Sequence, residues 1–177
     1  MRGIDLEEKL FLNRFGRRFT TGLIVSISFL LVYTIIGLLD AWPSGVTYEE
    51  GVYGWCESFS SGLILEPVNT LTNLAFVVVG LAILDRTDRQ KNSDLNGFTK
   101  GGVIPVVYAG AVIAIGLGSF AMHGTRTYLG SFLDWGGMLI FILFPVLYRL
   151  REYIGWSDEI FVRNHILLSI MILAIEF

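Results

Sequence analysis

The sequence predicts an all-α integral membrane protein, a multi-span helical bundle. More than half of its 177 residues are apolar, only 16% are charged, and the mean hydropathy is +0.62. The charges fall in clumps, and the uncharged stretches between them are long enough to cross a bilayer. The basic residues concentrate in alternate connecting segments, as an alternating topology requires.

Residues 1–18 form a polar, basic segment ahead of the first apolar run. From Phe19 to Leu39 there is no charge. About 20 apolar residues at 1.5 Å each cover the roughly 30 Å hydrocarbon core, so this run can span. It is longer than a signal-peptide core, and no small-residue cleavage site follows before Asp40, which favours a retained helix. Pro67–Leu84 and Gly101–Met122 are equally free of charge, and Thr127–Tyr148 carries only Asp134. A fifth run begins near Ile166 and is still apolar at Phe177. About a dozen residues are too few to cross. Residues 166–177 therefore read as an incomplete fifth span, with the natural C-terminus expected further on. Residues 19–177 are expected to form one transmembrane domain. Between the second and third spans, Asn92-Ser93-Asp94 and Asn96-Gly97 mark an ordinary polar loop.

Basic side chains favour the cytoplasmic side. Arg2, Lys9, Arg14, Arg17 and Arg18 precede the first span; Arg86, Arg89, Lys91 and Lys100 follow the second; Arg149, Arg151 and Arg163 follow the fourth. The segment from Asp40 to Glu66 has only acids. Twelve of the 13 basic residues thus share one face, and only Arg126 lies on the other. The N-terminus is expected in the cytoplasm. A net charge of −3 with no basic patch points away from nucleic acid, and Cys56, the single cysteine, excludes an internal disulfide.

Ionisable groups inside spans are costly and usually face a bundle interior or a water-filled cavity. Ser119 and His123 are four apart, hence on one helix face. Asp134 lies about seven residues into the fourth span, roughly 10 Å from its start. The second span follows Glu66 and opens with Pro67, and Asn69 and Asn73 follow at helical spacing. Alternating spans bring these six residues to the outer third of the membrane, as a polar pocket built from three helices. Each also has a structural reading: Glu66-Pro67 suits a helix start, the asparagines can bond between helices, and the paired glycines Gly116/Gly118 and Gly136/Gly137 allow close packing. Asp134 resists such a reading, because a buried carboxylate needs a partner. Ser119, on a regular helix, lacks the strained turn and oxyanion donors of a serine nucleophile. A metal site suits His123 with Ser119 and Asp134 better, although one histidine cannot hold zinc alone.

Trp55-Cys56-Glu57, Glu66-Pro67-Val68-Asn69-Thr70, Gly118-Ser119-x-x-x-His123 and Asp134 together resemble the alkaline ceramidase family. That family sits in a superfamily of seven-span membrane proteins with the progestin/adiponectin receptors and the lipid-remodelling factors of GPI-anchor maturation. The resemblance covers roughly Tyr53 to Tyr148. It implies a zinc-dependent hydrolase that cleaves the N-acyl amide of a ceramide-like lipid by attack of metal-bound water. His123 would be a zinc ligand, with Ser119 and Asp134 beside the metal as catalytic groups. Two further histidines of the family pattern would have to come from beyond Phe177. The resemblance also implies a calcium-binding stretch, matched at Trp55, Glu57 and Glu66 but not at Gly54 and Phe59, where an acid and an asparagine are expected. With Asn69 and Asn73, these acids are second-metal or pocket candidates. The first span precedes the matching part, so the resemblance implies seven to eight spans in the full chain. The expectation is therefore a multi-pass membrane enzyme with a lipid substrate entering from the outer leaflet. The alternative is a receptor-like or lipid-binding member of the superfamily with a structural metal.

Overall fold

The computed structural model describes residues 15–42, 57–58, 60, 62–89 and 102–175. Among them are six helices and no strand: α1 (Arg17–Leu38), α2 (Pro67–Thr72), α3 (Leu74–Arg89), α4 (Val103–Thr125), α5 (Tyr128–Ile154) and α6 (Asp158–Ile175). Four stretches are long and apolar enough to cross a membrane: α1, α2–α3 taken together, α4 and α5.

The helix ends follow local chemistry. The N–H groups opening α1 have no side-chain cap of their own. Asp88, near the end of α3, supplies it, accepting from the backbone N–H of Arg18 at 2.9 Å and of Phe19 at 3.1 Å. Pro67 opens α2 at the position where a missing N–H costs nothing. The helix breaks at Asn73 and resumes as α3. Thr127 caps α5 by accepting the Gly130 N–H at 3.1 Å. Gly155 closes α5 in the left-handed conformation at φ 78°, where a glycine meets no Cβ penalty.

The core is centred on α4. In its most apolar window 56% of residues are buried, against 11% for α1 and 33% for α5. The outward faces of α1, α3 and α5 carry exposed Ile24, Val78, Val79 and Val146, as lipid-facing surfaces do. Hydrocarbon solvates such side chains, so helix association rests on close packing instead. Small residues supply it. Gly22 of α1 sits against Leu84 and Ile113, Gly80 against the Ala109 backbone, and Gly137 of α5 against the backbone of Ala114 and Ile115.

Several helix limits differ from those expected. The second span is two helices, and its second part runs on to Arg89. Arg149 and Arg151 belong to α5 rather than to a loop, because no breaker intervenes before Gly155. The segment expected to start near Ile166 begins as helix at Asp158. His165 therefore lies within α6, buried beside Phe144 and Phe161, with Nε2 3.2 Å from the Ile140 carbonyl.

Candidate active site

The site forms where the chain entering α2 lies across the end of α4. The last carbonyls of a helix lack intrahelical partners. Here Leu65 N–H donates to the Gly124 carbonyl (3.0 Å) and Glu66 N–H to that of His123 (3.2 Å). Glu57 caps the start of α2, its two carboxylate oxygens accepting from Val68 N–H and Asn69 N–H at 2.8 Å each.

With that position served by Glu57, the Glu66 side chain turns inward and is fully buried. One oxygen, Oε2, lies 2.5 Å from His123 Nδ1 and accepts from Asn69 Nδ2 at 3.1 Å. The other, Oε1, accepts from Arg126 Nε at 2.8 Å and also from its Nη2. Arg126 sits in the turn between α4 and α5 in the left-handed region, at φ 53°, and is itself buried. Burial alone would push the Glu66 carboxyl up. The hydrogen bonds from His123, Asn69 and Arg126, with the guanidinium charge, outweigh it and hold the carboxyl below its usual range. An ionised carboxylate only accepts, so His123 Nδ1 carries the ring proton on that side.

The second part of the site is the pair Ser119 and Asp134. A Cβ at Gly118 would run into the Leu133 backbone, and one at Gly130 into that of Ala121 and Met122. Two glycines therefore bring α4 and α5 together where Ser119 faces Asp134. The Ser119 hydroxyl hydrogen-bonds the Asp134 carboxyl, and His123 lies nearby. Asp134 is 9% exposed, yet its Oδ1 has no hydrogen-bond partner, an arrangement that costs free energy and so calls for an explanation such as a functional one.

The structure thus brings Glu66, Asn69, Ser119, His123 and Asp134 together in one polar cluster. Asn73 bonds to the backbone of this cluster rather than to its side chains: its Nδ2 donates to the Asn69 carbonyl at 2.8 Å, at the helix break. Glu57 acts as a helix cap, and Trp55 lies outside the described residues. Arg126 was not among the expected site residues. The signal for it was topological, since it is the one basic residue on the otherwise acidic face.

An apolar cavity of about 620 Å³ runs beside chain neighbours of the cluster, and none of the cluster's own side chains lines its wall. It starts at Gly118 and Leu133, the chain neighbours of Ser119 and Asp134, and follows α4 through Ala114 and Gly110 to Val106. That run is about 18 Å long at 1.5 Å per residue, comparable with half of a roughly 30 Å hydrocarbon core. Helix α1 supplies part of its wall through Gly22, Val25 and Phe29, and Arg17 and Arg18 stand at the far end.

A family model described as Ceramidase matches residues 48–177. The chain belongs to the ceramidase family. No curated protein and no solved structure matches it. Membership supports a multi-pass membrane hydrolase acting on ceramide, with a lipid as substrate. Within this ceramidase-family chain, the matched residues include every member of the polar cluster, whereas α1 precedes them.

The donors present suit zinc in kind. An imidazole whose Nδ1 is held by a carboxylate presents its Nε2 side to a metal, a common arrangement at zinc sites, and an unpartnered Asp134 oxygen lies on the same cluster. No group of three His, Cys, Asp or Glu side chains able to hold a metal occurs among the described residues. Calcium suits them poorly. Both oxygens of Glu57 and both of Glu66 already accept hydrogen bonds from the protein.

Proposed function

We propose that this protein hydrolyses the N-acyl amide bond of a ceramide-like lipid, with Ser119, His123 and Asp134 as its reacting centre. The observation that carries this reading is the buried, unpartnered Asp134 Oδ1 beside Ser119 and His123, whose chain neighbours Gly118 and Leu133 line an apolar cavity about the length of a leaflet's acyl chain. The N-acyl chain would lie in the cavity, leaving the amide at the polar cluster and the head group beyond it.

In this reading His123 would hold zinc through Nε2, with its ring fixed by Glu66 at Nδ1, and the remaining ligands would come from outside the described residues. When bound, zinc supplies Lewis acidity at the reacting water and the scissile carbonyl. Asp134 accepts the proton from the attacking water at Oδ1 and returns it to the leaving nitrogen as the carbon–nitrogen bond breaks. Ser119 donates its one O–H to the carboxylate while Asp134 is ionised, and turns it to the oxygen on which charge develops once Asp134 has taken the proton. The products are a fatty acid and a long-chain amine.

The test is product analysis by mass spectrometry. The full-length protein in lipid nanodiscs, supplied with zinc, is given an N-acyl sphingoid lipid, beside the Ser119→Ala and Asp134→Asn variants. Equimolar fatty acid and amine from the native protein, reduced about 10²-fold or more in Asp134→Asn, support the reading. Saturable lipid binding with no product would replace it with a receptor-like role.

A further inference from the structure

We propose that the Arg126 guanidinium is a built-in counter-charge that occupies the place of calcium behind His123, so that the site assembles without that ion. Calcium takes six to eight oxygen ligands, and the resemblance offers Glu57 and Glu66 as two carboxylates for it. A carboxylate has about four lone-pair positions. On Glu66 all four have protein donors: Arg126 Nε and Nη2 on Oε1, Asn69 Nδ2 and His123 Nδ1 on Oε2. Glu57 accepts one backbone N–H of α2 on each oxygen, which leaves it about two positions, so a calcium site would have to form without Glu66. The sequence agrees, since Gly54 and Phe59 offer no side-chain oxygen.

Arg126 meets the electrostatic need that remains. A fully buried carboxylate without a counter-charge would be strongly disfavoured, and the guanidinium balances it with two N–H groups on a single oxygen. The backbone turn makes this reach possible. Arg126 takes the left-handed conformation at the end of α4, its N–H bonded to the Met122 carbonyl at 2.8 Å, and the side chain folds back over the helix end onto Glu66. A fixed side chain here does what a diffusible ion would do: it holds Glu66 ionised and so aims His123. Arg126 is a positioning residue, acting through Glu66.

The experiment uses the full-length protein in zinc-containing buffer freed of calcium, and again with saturating calcium. Unfolding midpoints are measured for the native protein, Arg126→Ala, Glu66→Gln and the double variant, and lipid-amide turnover for the native protein. An ion bound at a hundred times its Kd would raise the midpoint of a chain this size by roughly 5–10 °C. We expect no calcium shift in native midpoint or turnover, and a fall in midpoint for Arg126→Ala that is largely cancelled in the Glu66→Gln background. A calcium-dependent rise in the native protein overturns the proposal, as does strict additivity of the two substitutions. If Arg126→Ala fails to fold, the calcium comparison on the native protein still decides the matter. The midpoint needs no turnover, so the result stands apart from the fate of the hydrolase reading.

Discussion

Tyr33 of α1 rests its hydroxyl directly over Gly124, the residue after the candidate ligand His123, and donates to the Leu63 carbonyl at 3.3 Å. Its ring stands edge-on to Phe120 at 4.9 Å. A helix that precedes the family-matched residues is thereby wedged against both the end of α4 and the segment leading to Glu66.

The first prediction tests this wedge. A Cβ at Gly124 would overlap the Tyr33 hydroxyl, so Gly124→Ala should destabilise the protein by about 1–3 kcal/mol, as overpacking does. Adding Tyr33→Phe removes the obstructing oxygen at a cost of about 1 kcal/mol for the lost hydrogen bond. Thermal unfolding should therefore show the double variant more stable than Gly124→Ala alone. A double variant less stable than either single one would mean that the hydroxyl is not the obstacle.

Metal retention is the next expectation. Zinc measured on the purified full-length protein should be lost in His123→Ala. Glu66→Gln, which leaves the imidazole in place but weakens its orientation, should lower zinc affinity about 10–100-fold. Unchanged affinity in Glu66→Gln would separate the two residues functionally.

Acid should act through Glu66. Its carboxyl precedes the span and is held below the ordinary value of 4.5, so the folded state favours the ionised form. The sign follows: this contribution is complete above the unfolded-state value and is lost as pH falls through the lower folded one. Unfolding midpoints taken downward from neutral pH should drop below about pH 4.5, and the drop should be shallower in Glu66→Gln. Equal slopes in the two proteins would assign the acid response to other carboxyls.

Acyl-chain length should be set partly at Gly110. A Cβ there meets nothing within 4 Å, and the residue lines the cavity about 12 Å along α4 from Gly118. Gly110→Phe should leave short N-acyl substrates acceptable and discriminate against long ones by about tenfold or more. The readout is the ratio of turnover for short and long chains; an unchanged ratio would place the chain elsewhere.

Much of this architecture is legible in the sequence because the bilayer imposes a coarse rule. Long uncharged runs located α1, α4 and α5, and helical spacing placed Ser119 with His123. Asp134 stood out because a lone carboxylate in an apolar run has so few structural uses. Less legible was whatever depends on the backbone between helices. Asn73 shares a helical spacing with Asn69, but the helix breaks there and the side chain turns back on the backbone. Arg126 reaches Glu66, 60 positions away in the chain, only because its own backbone is left-handed, and no periodicity encodes that. Glu57 reads from sequence as a metal-binding acid, and its bonds to the α2 N–H groups depend on a chain path that no spacing encodes.

The cap on α1 has a consequence for biogenesis. Asp88 is made 70 residues after Arg18, the N–H of which it accepts. At about 5–20 residues per second that is a delay of roughly 4–14 s. Throughout that interval the leading turn of the first helix is served by water at the membrane edge. Final seating of the first helix therefore waits on the arrival of α3, and a translocon that releases helices singly would release this one before its clasp exists.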